Sequence, residues 1–420
     1  MNTIFIILSV IVLVMVSMGE TQQPACFPPF ANRPPSQQTY AGLYGGQQDF
    51  SLALLNAINK LMPKENLFFS PYSTYHALLI AYFMAGGQTE AYLKKVLRLG
   101  DGHEKSDIYS AYKLDRFATS FMAQNNAPYE FTSANKIYVS NETEVRECVK
   151  YDFPDELELF PFKTDPEGSR LAINQWVEKT THRMITNLLP PGTIDPNTSL
   201  VLVNAAYFKG IWENKFNPNL TKPEIFYVSP TKQIMVDMMH VEGTFRHDIS
   251  ESLGAHILEL PYQGDNISMY ILLPPFSNTE DSIDTTLKNL NLENFKKLVD
   301  RDSLISRTVQ VALPKFSLET TIELVPILEQ LGVGDLFQPT ANLTALIKNG
   351  TASLGKAIHK AKIEVNEEGT KAAAATVLFS FRSSRPAEPA QFICNHPFIY
   401  FVYNKVENAI LFGGVFRRPY

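Results

Sequence analysis

The hydrophobic pattern changes character along the chain. Phe50, Leu54, Ile58 and Leu61 recur at helical spacing, which predicts a helix over 50–61 with one apolar face. A second, almost wholly apolar helix is predicted over 71–84, with Ser70 as a cap and Pro71 in the first turn. A third, amphipathic helix is predicted over 172–189, stopped by Pro190, Pro191 and Gly192. Later the strand signals take over, at 200–206, 255–260, 268–273, 308–313, 397–403 and 409–415. Helices come first and strands last, with neither a repeat nor a regular βαβ alternation. That order predicts an α+β fold with large antiparallel or mixed sheets.

One late stretch breaks this pattern. Residues 361–366 (Ala-Lys-Ile-Glu-Val-Asn) alternate as a strand. Then come Glu367, Glu368 and Gly369, followed by Thr370, Lys371, four alanines (Ala372, Ala373, Ala374, Ala375) and Thr376. A run of small side chains suits a segment that must slide between other strands, where bulk would clash. Gly369 permits the chain to turn over. Alternate residues of an added strand face the core, so Thr370, Ala372, Ala374 and Thr376 can enter without burying a charge, while Lys371 stays on the solvated face. Beyond them, Arg382, Ser383, Ser384, Arg385, Pro386 and Pro389 read as an exposed, cleavable loop.

The N-terminus carries a different signal. Residues 4–16 form an apolar run too short to span a bilayer comfortably, and Ser17, Met18 and Gly19 suit cleavage before Glu20. Residues 1–19 therefore read as a signal peptide of a secreted, extracellular protein. Residues 20–46, rich in Pro, Gln and Gly, read as a flexible arm, and residues 47–420 as one domain. Asn141, Asn197, Asn219, Asn266, Asn342 and Asn349 head Asn-x-Ser/Thr triplets, the pattern of a glycoprotein. Of Cys26, Cys148 and Cys394, two at most can pair internally, so the core rather than a disulfide framework must hold the fold.

Composition narrows the chemistry. The chain is 45% hydrophobic and 19% charged, with net charge −6. It is globular, without the basic field that recruits nucleic acid. Lys94, Lys95 and Arg98 form the nearest thing to a basic patch, read as a solvated face in preference to a weak site for a sulfated polysaccharide. Residues 350–357 resemble a phosphate-binding loop, but Ala357 stands where a hydroxyl must hold magnesium, and a strand follows instead of a helix. His240 and His247 flank a glycine turn without a third ligand at suitable spacing and read as structural. No catalytic constellation, cofactor motif or metal motif is found, so the chain is not read as an enzyme.

Several separated segments resemble the serpin family in the family's own order. They are residues 68–73 (Phe-Phe-Ser-Pro-Tyr-Ser), 203–212 (Val-Asn-Ala-Ala-Tyr-Phe-Lys-Gly-Ile-Trp), 313–316 (Leu-Pro-Lys-Phe), the run ending at Phe337, 395–398 and 410–415. The style is similar to arthropod serpins. The resemblance implies three β-sheets, eight or nine helices and a reactive loop, about 367–391, held above the largest sheet. It implies a monomer that inhibits a serine protease by forming a covalent complex. The protease cleaves the loop, an acyl-enzyme forms, and the freed loop inserts into the sheet as a new strand. The alternative is a non-inhibitory serpin-fold binding or carrier protein.

By the same resemblance, Ser70, Ser73, Asn204 and His359 lie beneath the centre of the large sheet, where strands must part. Trp212, Lys315 and Glu367 lie where the loop first enters, with Lys315 and Glu367 as an ion pair. Arg382–Ser383 is the preferred reactive bond, because Arg suits the acidic pocket of a trypsin-like protease. The family's usual count of seventeen from Glu367 gives the alternative, Ser383–Ser384, which points to an elastase-like or chymotrypsin-like enzyme.

Overall fold

The computed structural model describes residues 26, 36–124, 129–276, 282–300, 303–348, 352–369 and 388–419. The expected signal peptide, the expected reactive loop from Thr370 to Ala387 and the sequon at Asn349 lie outside them.

Nine helices occur among the described residues: α1 Gln37–Leu61, α2 Pro71–Met84, α3 Gly87–Val96, α4 Lys105–Gln124, α5 Glu147–Asp152, α6 Pro166–Thr180, α7 Ser282–Asn289, α8 Leu292–Val299 and α9 Val325–Leu331. The start of α1 corrects the flexible-arm expectation for residues 37–46. Ser36 caps it by accepting the Thr39 N–H, and Leu43 and Tyr44 are buried. Just beyond the expected arm, Gln47 and Gln48 anchor the same helix by donating to the carbonyls of Ile410 and Asn408. Ser70 caps α2 as expected, and α2 is buried on every side, as a helix without a polar face must be.

The third predicted helix lies earlier than expected. Asp165 caps α6 ahead of Pro166, and the helix ends at Thr180. His182, Arg183 and Asn187 take left-handed backbone conformations that a helix cannot contain. The Asn174 side chain bonds both backbone groups of Leu189, so residues 181–189 fold back on α6 as a turn. Cys26 and Cys148 form a disulfide that ties the chain ahead of α1 to α5, and Cys394 is a buried free thiol.

The strands are β1 Leu67–Phe69, β2 Tyr129–Ser140, β3 Leu157–Phe160, β4 Leu200–Gly210, β5 Lys222–Ser229, β6 Lys232–Ser250 and β7 Ala255–Pro261. They continue with β8 Ile267–Leu273, β9 Ile305–Pro314, β10 Phe316–Glu323, β11 Leu354–Val365, β12 Ala390–Ile393, β13 Phe398–Asn404 and β14 Ala409–Phe416. All six predicted strands are present. One sheet has the order β10-β11-β4-β2-β3; the other network runs β1-β14-β13-β8-β7-β6-β9-β12, with β5 beside β6. The three sheets expected form two hydrogen-bonded networks because β6 is long enough to join two of them. Its first part pairs with β5, and its later part carries both β9 and β7.

Candidate functional site

The five-stranded sheet is built to open between two particular strands. β11 and β4 pair in parallel, from Leu354 opposite Leu200 to Lys362 opposite Tyr207, and there the pairing stops. The flanking ladders go further: β2 stays paired with β4 as far as Gly210, and β10 with β11 as far as Val365. The central pair therefore separates at its upper end while its neighbours stay bound. A parallel ladder is also the weaker kind per residue.

The chain leaving β11 closes the top of this opening with a tight turn over Asn366–Gly369. The Gly369 N–H donates to the Asn366 carbonyl at 3.2 Å. Gly369 has φ +81°, the left-handed region where glycine carries no penalty. Trp212, buried and stacked on Tyr262, donates its indole N–H to the Asn366 carbonyl at 3.0 Å. Glu367 meets Lys315 at 3.0 Å and accepts from the Thr221 hydroxyl at 2.9 Å. Burial disfavours its charge, but its own backbone N–H, Lys315 and Thr221 outweigh that and hold the carboxyl below its ordinary value. Trp212, Lys315, Glu367 and Gly369 are thus brought together as expected. Thr221 and Asn366 complete the group and escaped sequence reading, because a lone Thr or Asn in a polar stretch carries no pattern.

Beneath the centre of the sheet lies a second group. Ser70, Ser73, Asn204 and His359 are all fully buried. The Ser70 N–H donates to His359 Nε2 at 2.9 Å, and the Ser70 hydroxyl donates to the Leu411 carbonyl at 2.7 Å. Asn204 bridges β4 to the helix by donating to Ser73 Oγ at 2.7 Å, and its Oδ1 accepts from His359 Nδ1. These contacts define the His359 tautomer: Nδ1 carries the proton and Nε2 accepts. A second proton would have to face the Ser70 N–H, and burial pushes the imidazole pKa down to about 3. The ring is neutral at any physiological pH. Ser133 and Asn135 on β2 belong to the same group: the Ser73 hydroxyl donates to Asn135 Oδ1 at 2.9 Å, and Ser133 to Ser73 at 2.9 Å. Two polar residues two places apart, on one face of a strand, were the available signal for them.

The remaining candidates are scattered. Asn141, Asn197 and Asn219 are exposed, whereas Asn266 and Asn342 are half-buried, and the Asn342 side chain accepts from the Thr344 hydroxyl. Arg98 is paired with Asp49, and Lys94 and Lys95 occupy the last turn of α3, where cations suit the helix dipole. Residues 354–357 open β11, in keeping with the rejection of a phosphate loop. His240 pairs with Glu224, and buried His247 packs against Phe392. No group of three or more metal-ligating side chains occurs among the described residues.

This layout agrees with comparisons to known proteins. Residues 45–419 match the family profile of the serpins, the serine protease inhibitors. The chain is 42% identical to Serine protease inhibitor 88Ea of Drosophila melanogaster, over 90% of this chain and 91% of that one. It is 36% identical to the leukocyte elastase inhibitor of Sus scrofa, over 88% and 97%. Among solved structures, uncleaved ovalbumin superposes with a TM-score of 0.79 at 27% identity, covering 90% of this chain and all of that one. The parting sheet, the hinge above it, the polar group below it and these matches together establish that the chain belongs to the serpin family of serine protease inhibitors.

Proposed function

We propose that the protein is a secreted inhibitor that traps a trypsin-like serine protease as a covalent acyl-enzyme. The observation that carries this reading is the register which the hinge turn sets for the residues after it. Asn366 and Gly369 form an antiparallel bridge. Continuing that bridge places Thr370 opposite Val365, Ala372 opposite Ile363, Ala374 opposite Ala361 and Thr376 opposite His359. Val365, Ile363, Ala361 and His359 are all buried. Directly opposed residues share a face of the sheet, so the small residues of the loop fall on the packed face. Lys371 falls opposite Glu364, which is exposed on the other face and paired with Lys362. One parallel ladder is then replaced by two antiparallel ones.

The protease serine attacks the Arg382 carbonyl, and the Arg382–Ser383 bond breaks. Ser383 leaves as an amine carrying the proton delivered by the protease histidine, and Arg382 remains as an ester. Insertion of residues 370–382 then carries the attached protease away before water can attack the ester. The sequons and the Cys26–Cys148 disulfide support an oxidising, extracellular setting, with glycans on exposed Asn141, Asn197 and Asn219. The reading is tested by incubation with trypsin. A complex that survives SDS, a released peptide beginning at Ser383, and loss of trapping in Arg382→Ala are expected. A peptide beginning at Ser384 instead makes Ser383 the specificity residue and the target elastase-like, a reading favoured by the name of the Sus scrofa relative.

A further inference from the structure

We infer that the turn Asn366–Gly369 is the first rung of the strand that insertion adds, assembled while the loop is still intact, and that Asn366 is the positioning residue that holds it closed. This rests on the trapping mechanism proposed above.

Asn366 serves three donors. Its carbonyl accepts the Gly369 N–H and the Trp212 indole, and its Oδ1 accepts the Glu368 N–H at 3.1 Å. An Asn side chain bonding the backbone two residues on is a self-contained reversal of the chain. The turn is also docked on the chain that continues β4. The Trp212 N–H donates to the Glu368 carbonyl at 3.2 Å, and the Phe216 N–H to the Glu367 carbonyl at 2.9 Å. A Cβ on Gly369 would lie 2.4 Å from the Gly210 carbonyl oxygen and 2.5 Å from the Trp212 nitrogen. Gly369 thus touches the extension of β4 on one side and is bridged to the end of β11 on the other. That is where the first residue of a strand between β4 and β11 must sit. The reversal needed to run antiparallel to β11 has already taken place, so insertion lengthens an existing hairpin and need not nucleate one. Lys371 gains a role in the same register, meeting Glu364 across the strands as insertion begins.

Hydrogen exchange on the full-length protein, before and after a single cut in the loop, tests the inference directly. Slow exchange across 366–369 is expected already in the intact chain. Asn366→Ala should exchange about tenfold faster, the loss of roughly one hydrogen bond, and Asn366→Asp should restore protection by presenting the same acceptor. Trypsin should cut the Asn366→Ala loop at the parent rate, yet a smaller fraction of cut molecules should end as covalent complex. Fast exchange in the intact parent that slows only after cleavage overturns the inference and leaves trapping intact. A parent that is cut without forming complex overturns trapping, while the exchange pattern still decides whether the turn is preformed. The parent measurement needs no variant, so a misfolded Asn366→Ala leaves the outcome decidable.

Discussion

The hinge and the centre of the sheet fasten the end and the middle of β11 by opposite means. At the hinge the fastening is charged and open to water on one side: Lys315, 46% exposed, meets the buried Glu367 at 3.0 Å. At the centre it is neutral and dry: Asn204, Ser70, Ser73 and His359 share hydrogen bonds with no exposed surface. A charge at the rim is stabilised by water and costs little to release. A charge at the centre would be desolvated on both faces of the opening sheet. Hydrogen bonds in a dry site are exchangeable for those of an incoming strand, provided each partner is replaced. A sheet that must open from the top and close around a new strand is served by a weak, screened clasp above and a neutral, re-pairable network below.

The strongest way to break this comparison is to carry charge from the rim to the centre. In the inserted register Ala374 lies opposite buried Ala361, and Ala374→Glu would bring a carboxylate there at a cost of several kcal/mol. Insertion should slow until hydrolysis of the acyl-enzyme overtakes it, turning the inhibitor into a substrate. Counting the inhibitor molecules consumed per protease trapped is the measurement. An unchanged ratio would mean that residue 374 never enters the sheet.

Protonating the centre is the next largest perturbation. His359 titrates at about 3 in the fold against 6.5 unfolded, so the unfolded chain takes up the proton more readily. Its contribution to stability is complete above pH 6.5 and is lost as pH falls from there towards 3, by up to about 1.4 kcal/mol per unit. In denaturant unfolding, the gap between parent and His359→Asn should narrow as pH drops below 6. A constant gap would show that the ring is not held neutral. At fixed pH, Asn204→Ala should cost about 1–3 kcal/mol by stranding the His359 Nδ1 proton.

How far these regions were legible follows from the same contrast. At the hinge Gly369 left a local mark, next to four alanines that lie outside the described residues, but only the family resemblance connected Trp212 and Lys315 with Glu367. The centre was assembled from β2, α2, β4 and β11, and only the family resemblance connected Ser70 with Asn204 and His359. Asn135 and Ser133 were missed because their partners lie some sixty residues away, Ser73 on α2. The start of α1 was missed for a different reason. Gly42, Gly45 and Gly46 are poor helix signals, and burial of Leu43 and Tyr44, with Gln47 anchored to Ile410 of β14, overrides them. Residues 181–189 kept an apolar helical spacing while folding as a turn, since buried Ile185, Leu188 and Leu189 satisfy the same core from either conformation.

The turn that carries the clasp comes next. Gly369→Ala adds a methyl group where the Gly210 oxygen lies 2.4 Å away, at a backbone conformation alanine resists. The expected cost is about 1–3 kcal/mol. Because the turn can undock without unfolding the sheet, the loss should appear as faster exchange at 366–369 more than as a lower melting temperature. An equal effect on both would make the turn part of the global core.

The smallest effect is expected at the clasp, and it is the sharpest test of the contrast. Glu367→Gln keeps the acceptor for Thr221 and removes the charge facing Lys315. A pair whose lysine is exposed to solvent contributes about 1 kcal/mol, and salt screens it from that side. The carboxyl titrates below its ordinary value, so its stabilisation is present above about pH 4.5 and is lost as pH falls through the folded value. The parent-minus-variant difference should therefore vanish in acid, in strong salt, or in both, whereas the His359 difference should respond to acid and ignore salt. If salt leaves the Glu367 effect untouched, the clasp is drier than its half-exposed lysine suggests, and rim and centre obey one rule instead of two.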